Sequence, residues 1–224
     1  MFNFLADEVE PQTTSTTWIA IGTIVVLFAV IVALSIFSKK LSAKTIAMAG
    51  ITIALSFVLS LLKIVPVANG GGITVASVIP IAIFAYYYGF FPGLLSGIIF
   101  GLLQFVSEPY LLTPLTFFLD YALPFIGICL IPICRKFVKN ETLSLIIGLS
   151  ITYLLGFIMH FFSGIVYYNY GFVIEGIPSN NAIVYSLLYN LVYMGPDFLI
   201  AAIAAFILSK TKVIARLERF VVNE

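Results

Sequence analysis

Asp120, His160 and Asp197 each stand inside a long apolar run of this sequence. A charge or an imidazole at membrane depth is expensive unless it is paired or faces a cavity, so all three are functional candidates by default. Their neighbours indicate what chemistry they could share. His160, Gly164 and Tyr168 recur at i, i+4 and i+8 on one predicted helix face, with the glycine leaving room between an imidazole and an aromatic ring. Tyr121 flanks Asp120, and Tyr185, Tyr189 and Asn190 cluster near the start of the last apolar run. A carboxylate, several aromatic faces and an amide suit a flat organic cation. The acid supplies countercharge, the rings supply stacking and cation–π attraction, and the amide fixes hydrogen-bonding edges. The plainer alternative is that Asp120 and His160 only pair and tie two helices together. Asp197 follows Gly195-Pro196, a predicted kink, and shares a face with Asn190 and Tyr193. It reads as a cap for backbone groups freed by the proline or as a partner for a neighbouring helix, with a part in conformational change as the alternative.

The elements that must position these residues follow from composition. Of 224 residues, 62% are hydrophobic and 9% charged, and the mean hydropathy is +1.15. A soluble domain carries about a quarter of its residues as charges, so this chain is an integral membrane protein. Eleven basic and ten acidic residues give a net charge of +1, which does not favour nucleic-acid binding. Apolar runs long enough to cross a bilayer as helices fall at 18–37, 46–65, 74–91, 93–106, 114–134, 143–170 and 183–208, which predicts seven helices. The fourth is short and glycine-rich and is expected to tilt, kink or cross only partly. No periodicity of two recurs, which disfavours a β-barrel. Ala47, Gly50 and Ala54 form one strip of small residues and Gly93, Gly97 and Gly101 another; such strips pack helices within a bundle or dock a membrane partner. Tyr86, Tyr87 and Tyr88 read as interfacial belt residues. Cys129 and Cys134 match no metal-ligand spacing and read as small core residues.

Basic residues predict the orientation. Lys39, Lys40 and Lys44 follow the first run, Arg135, Lys136 and Lys139 the fifth, and Lys210, Lys212, Arg216 and Arg219 the seventh. An outside amino terminus places all of these on the cytoplasmic side and leaves Lys63 near an outer helix end, where it can snorkel. The acidic tail with Asp7, Glu8 and Glu10 suits the outside. In this frame Asp120 lies about 9 Å and Asp197 about 20 Å from the outer ends of their helices. His160 lies about 26 Å from the inner end of its own, which sets it level with Asp120. The outside loops are then 66–73, 107–113 and 173–182.

No phosphate-binding loop, zinc-protease helix, nucleophile elbow or cysteine-pair metal motif occurs, and His160 is the only histidine. The chain reads as a binder or carrier, not a catalyst, with no catalytic residue and no metal site. Several blocks together resemble a known family. They are Gly70-Gly71-Gly72-Ile73-Thr74, Val78-Ile79-Pro80-Ile81, Gly93-Leu94-Leu95-Ser96-Gly97 and Gly101-Leu102-Leu103-Gln104. They continue through Phe118-Leu119-Asp120-Tyr121-Ala122-Leu123-Pro124-Phe125, His160-Phe161-Phe162-Ser163-Gly164-Ile165 and Tyr185-Ser186-Leu187-Leu188-Tyr189-Asn190. In this order and spacing, over about residues 44–209, the chain resembles the thiamine-specific S component of bacterial energy-coupling factor transporters.

The resemblance implies an all-α integral membrane protein of the plasma membrane, a six-helix S-component bundle over 44–209. Outside that core lie an acidic tail over 1–17, one extra N-terminal transmembrane helix over 18–38 and a cytoplasmic basic tail over 210–224. It implies high-affinity capture of thiamine, association with a membrane coupling subunit and two cytoplasmic ATPase subunits, and no cofactor in this chain, since those partners use the ATP. Carried over residue by residue, the substrate-binding set is Asp120, Tyr121, His160, Gly164, Tyr168, Tyr185 and Asn190, and the partner interface is Ala47, Gly50 and Ala54. The family's carboxylate can be glutamate where this chain has the shorter Asp120, its stacking position is often tryptophan where Tyr168 stands, and its glutamine four residues before the acid is Thr116. The loop from Tyr168 to Tyr185 is longer. Alternatives are an S component for a related vitamin or thiamine precursor, a stand-alone proton-coupled transporter using Asp120, His160 and Asp197 as a relay, and an assembly protein that binds no small ligand.

Overall fold

A computed structural model describes residues 41–67, 70–174, 176–178 and 180–211, with Phe28, Val32 and Ile36, each helical, before them. The acidic tail, most of the predicted extra helix at 18–38 and the basic tail from 212 onward lie outside the described residues. Within them six helical segments form a bundle, five of them long and apolar enough to cross a membrane. Helix α1 spans Ala43–Leu61 and starts where the Ser42 hydroxyl accepts the Thr45 N–H at 3.1 Å. Helices α5 (Glu141–Asn169) and α6 (Ala182–Lys210) run 29 residues each. Asn140 and Asn181 cap them, each accepting a backbone N–H at 2.9 Å. These side-chain acceptors satisfy donors that a helix start leaves free.

The fold departs from the sequence expectations at three places. The expected plain loop at 66–73 is part of a β-hairpin. Strand β1 (Lys63–Pro66) pairs antiparallel with β2 (Gly72–Thr74), in register Lys63↔Thr74, Val65↔Ile73 and Pro66↔Gly72. Gly70, at φ +83°, supplies a conformation that side-chain-bearing residues avoid. The short spanning segment is the third run, not the fourth. With Thr74 in a strand and the helix stopped at Gly89 (φ +96°), α2 keeps only Ile79–Tyr88, whereas α3 extends over 18 residues, Phe90–Ser107. Ten residues rise about 15 Å, half the hydrocarbon thickness. Tyr86 is not a belt residue either. It is 4% exposed, its hydroxyl lies 3.1 Å from that of Ser144, and the Arg135 guanidinium sits 4.8 Å from its ring centroid.

Helix α4 (Pro114–Phe137) is apolar throughout but not one regular helix. It passes from α (Pro114–Phe117) to a π-turn (Phe118–Ala122), a 3-10 stretch (Pro124–Leu130) and α again (Ile131–Phe137). Irregular backbone at membrane depth persists only where protein covers it. The strip on α3 provides that cover. A Cβ at Gly101 would run into the Tyr121 carbonyl and one at Gly97 into the Phe125 carbonyl, while one at Gly93 would meet Ala85 at 2.8 Å. Around this contact Ile81, Phe100, Ile128, Ile131, Leu145 and Leu149 form a fully buried core, and Cys129 and Cys134 are free, buried side chains in the same helix. The other small strip faces outward among the described residues: Ala47, Gly50 and Ala54 are all exposed, and a Cβ built on Gly50 meets none of their atoms within 4 Å outside its own helix backbone.

Candidate functional site

Proline 124 shapes the backbone at Asp120. A proline donates no hydrogen bond and its ring crowds the carbonyl four residues earlier, here that of Asp120. The helix widens at that carbonyl into a π-turn, closed by Leu123 N–H donating to the Phe118 carbonyl at 2.9 Å. Such bulges often accompany functional sites. The Asp120 carboxylate reaches α5, where Oδ1 lies 3.0 Å from His160 Nδ1 and Oδ2 accepts the Ser163 hydroxyl at 2.7 Å. An ionised carboxylate only accepts, so Nδ1 carries the shared proton and Nε2 is left for another partner. The pair is not sealed. His160 and Asp120 retain 20% and 16% of their side-chain exposure, and both line one cavity.

That cavity has a volume of about 190 Å³, more than ten times the space a single water needs, which is room for a small organic molecule. Its aromatic wall includes Tyr110, Tyr121, Tyr167, Tyr185, Tyr189 and Tyr193. The rings of Tyr185 and Tyr189 lie within 7° of parallel at 6.1 Å. Asn190 is oriented from both sides: its amide N–H donates to the Ser186 carbonyl at 2.9 Å and the His160 carbonyl at 3.2 Å, and its oxygen accepts the Tyr193 hydroxyl at 2.9 Å. Gly164 permits this approach, because a Cβ there would strike the Ser186 hydroxyl. The hairpin covers another wall. Lys63 forms an ion pair with Glu108 and donates to the Gly70 carbonyl at 3.3 Å, and a Cβ on Gly71 would come within 2.9 Å of the Tyr189 hydroxyl.

Asp120, Tyr121, His160, Gly164, Tyr185 and Asn190 line the cavity together; Tyr168 does not. On a helix of 3.6 residues per turn, the seventh residue returns to within about 20° of the starting face and the eighth overshoots by about 80°. Tyr167 therefore follows His160 into the cavity, its hydroxyl donating to the Tyr110 carbonyl at 3.1 Å, while the Tyr168 ring rests 5.5 Å from that of Tyr185. Ser163, three residues past His160, is a site residue that the same spacing could have revealed. Three of the tyrosine hydroxyls are committed to loops, that of Tyr167 among them. Tyr121 donates to the Glu108 carbonyl at 2.7 Å and accepts the Tyr110 N–H at 2.9 Å, and Tyr185 accepts the Ile174 N–H at 3.2 Å. Their rings, not their hydroxyls, remain for a ligand.

Asp197 ties three elements together. Its Oδ1 accepts the Thr74 N–H at 2.6 Å and the Thr74 hydroxyl at 2.8 Å, and Oδ2 accepts the Tyr153 hydroxyl at 2.7 Å. Of the two structural readings, partnership with neighbouring segments is the one observed. Lys63, expected near an outer helix end where it can snorkel, is paired with Glu108, a contact between segments distant in sequence that spacing does not reveal.

Comparison with known proteins agrees with this architecture. The family model for the thiamine transporter protein (Thia_YuaJ) matches residues 46–216. The chain is 32% identical over 153 residues to the thiamine transporter ThiT of Bacillus subtilis (strain 168), covering 64% of this chain and 77% of that protein. A solved structure of ThiT from Listeria monocytogenes has the same fold, with a TM-score of 0.61 at 21% identity over 75% of this chain and 93% of that one. Since the family model takes in more than half of the sequence, the chain belongs to the thiamine transporter protein (Thia_YuaJ) family.

Proposed function

We propose that this protein captures thiamine with high affinity outside the cell, as the S component of an energy-coupling factor transporter. A membrane coupling subunit and two ATPase subunits, supplied by partner proteins, drive release inward. The observation that carries this reading is the Asp120–His160–Ser163 cluster opening into a tyrosine-walled cavity at membrane depth. Thiamine joins a flat aminopyrimidine, rich in hydrogen-bonding edges, to a cationic thiazolium ring. Stacking and cation–π contact from Tyr185, Tyr189 and Tyr167 suit its two faces. The carboxylate of Asp120 and the free nitrogen of His160 suit its polar edges, with Tyr121, Gly164 and Asn190 shaping the space. Membership of a thiamine transporter family supports the substrate. The amino terminus is outside and the carboxyl terminus cytoplasmic in this reading. The exposed strip Ala47, Gly50 and Ala54 on α1 is the face offered to the coupling subunit.

Calorimetric titration of the detergent-purified protein with thiamine tests the reading directly. Saturable one-to-one binding at nanomolar thiamine is expected. Asp120→Ala leaves the His160 and Ser163 donors facing an empty position and should weaken binding at least tenfold, about 1.4 kcal/mol or more. Unchanged affinity in that variant sinks the site assignment. No heat at micromolar thiamine in the wild type shifts the substrate to a related vitamin or precursor.

A further inference from the structure

The capture site as drawn makes no use of Asp197, although this residue lines the same cavity. Its side chain is buried at 9% exposure, and its three donors are all neutral: the Thr74 N–H, the Thr74 hydroxyl and the Tyr153 hydroxyl. Asp120 differs, because its Oδ1 meets the imidazole of His160, a basic side chain. Lys63 and Glu108, also on the cavity wall, offset each other. Among the described residues, Asp197 is thus the cavity carboxylate whose hydrogen-bond partners include no basic side chain.

The tether to the hairpin does not require that charge. An asparagine carbonyl would also accept the Thr74 N–H, in a weaker neutral bond, and its amide could donate to the Tyr153 oxygen. A carboxylate buried at membrane depth without countercharge is costly, even with several hydrogen bonds. The described spans hold no cation to meet it. Lys44 stands in the first turn of α1, Arg135 and Lys136 in the last turn of α4, and Lys210 at the end of α6. Beside Asp197 are aromatic faces instead: Tyr153, bonded to it from α5, and Tyr193, one turn earlier on α6, both also lining the cavity. A carboxylate flanked by rings and lacking a cation is the environment that a delocalised organic cation fills.

We propose that Asp197 is the countercharge for the cationic ring of the substrate, the residue that makes this cavity prefer a cation over a neutral molecule of the same shape. The inference rests on the thiamine reading and assigns one charge within it. The test uses thiamine and deazathiamine, its neutral thiophene isostere, titrated calorimetrically into the full-length protein. The readout is the ratio of their dissociation constants. The wild type should favour thiamine by at least about tenfold. Asp197→Asn should abolish that preference by weakening thiamine while leaving deazathiamine within about threefold. Thr74→Val, which removes the tether hydroxyl and keeps the charge, should shift both ligands together and preserve the ratio. Asp120→Asn should weaken both and preserve the ratio.

A ratio that survives Asp197→Asn overturns the inference, and so does one that collapses in Asp120→Asn. Should Asp197→Asn fail to fold, a preference kept in both Asp120→Asn and Thr74→Val supports Asp197 as its source. Wild-type protein that binds both compounds equally overturns this inference alone. Wild-type protein that binds neither overturns the thiamine reading as well.

Discussion

Two strips of small residues, alike in sequence, meet opposite fates in the fold. Gly93, Gly97 and Gly101 on α3 are buried against α4, whereas Ala47, Gly50 and Ala54 on α1 are exposed. The difference lies in what each strip faces. The α3 glycines lie against backbone that has left regular helical geometry, and the carbonyls of Tyr121 and Phe125 occupy the volume where their side chains would stand. Only a surface without side chains allows that approach, so this strip is a structural requirement of the π-turn that carries Asp120. Among the described residues the α1 strip has no such neighbour, and a Cβ on Gly50 meets none of their atoms within 4 Å outside its own helix backbone. Small-residue spacing by itself therefore marks a surface for close approach without saying whether the partner belongs to the same chain.

The sharpest way to break this contrast is to add one methyl group to each strip. Gly101→Ala should have the largest effect, because the atom in the way is a backbone carbonyl that cannot rotate aside. Overpacking of this kind costs about 1–3 kcal/mol, and Tyr121 adjoins Asp120, so thiamine affinity should fall along with the apparent Tm. Thermal unfolding in detergent and calorimetry on the same preparation measure both. A variant as stable as the wild type would show that α3 and α4 are not in close contact at this point.

Gly164→Ala should follow, with a smaller effect. The added carbon meets a hydroxyl, that of Ser186, which can rotate, although it then gives up its 2.6 Å bond to the Phe161 carbonyl. One such bond contributes about 1 kcal/mol. Because the Ser186 hydroxyl also accepts the Asn190 amide N–H at 3.3 Å, thiamine binding should weaken by a few-fold while the Tm moves little. A larger loss of stability than in Gly101→Ala would reverse the order and place the tightest contact of the bundle between α5 and α6.

The same contrast explains what the sequence disclosed and what it withheld. Helices α1, α5 and α6 were legible because each is a long apolar run, and hydropathy fixes such segments locally. The hairpin was not, since strands of four and three residues are too short to display an alternation. Neither was the shortening of α2, which depends on Thr74 being drawn into that hairpin and on Asp197, 123 residues away, holding it there. At the site, Asp120, His160 and Asn190 stood out because polar residues in apolar helices are rare. Tyr167 was obscured by Tyr168 beside it, and only the true helical phase separates the two. Ser163 was hidden by being small and common.

The smallest effect on the isolated protein is expected at the exposed strip, and that makes it informative. Gly50→Leu adds a side chain where no atom of the described fold lies within 4 Å, and leucine favours a helix interior over glycine by nearly 1 kcal/mol. The purified variant should therefore unfold at the wild-type temperature or slightly above it and bind thiamine normally. In cells that supply the coupling subunit and the ATPases, the same leucine would stand on the proposed docking face and block the close helix approach that small residues permit. Uptake of labelled thiamine should fall to a small fraction of the wild type while binding in detergent is preserved. Loss of binding in detergent would instead make this strip structural like the one on α3, and the contrast between them would vanish. Normal uptake would show that the coupling subunit docks elsewhere on the bundle.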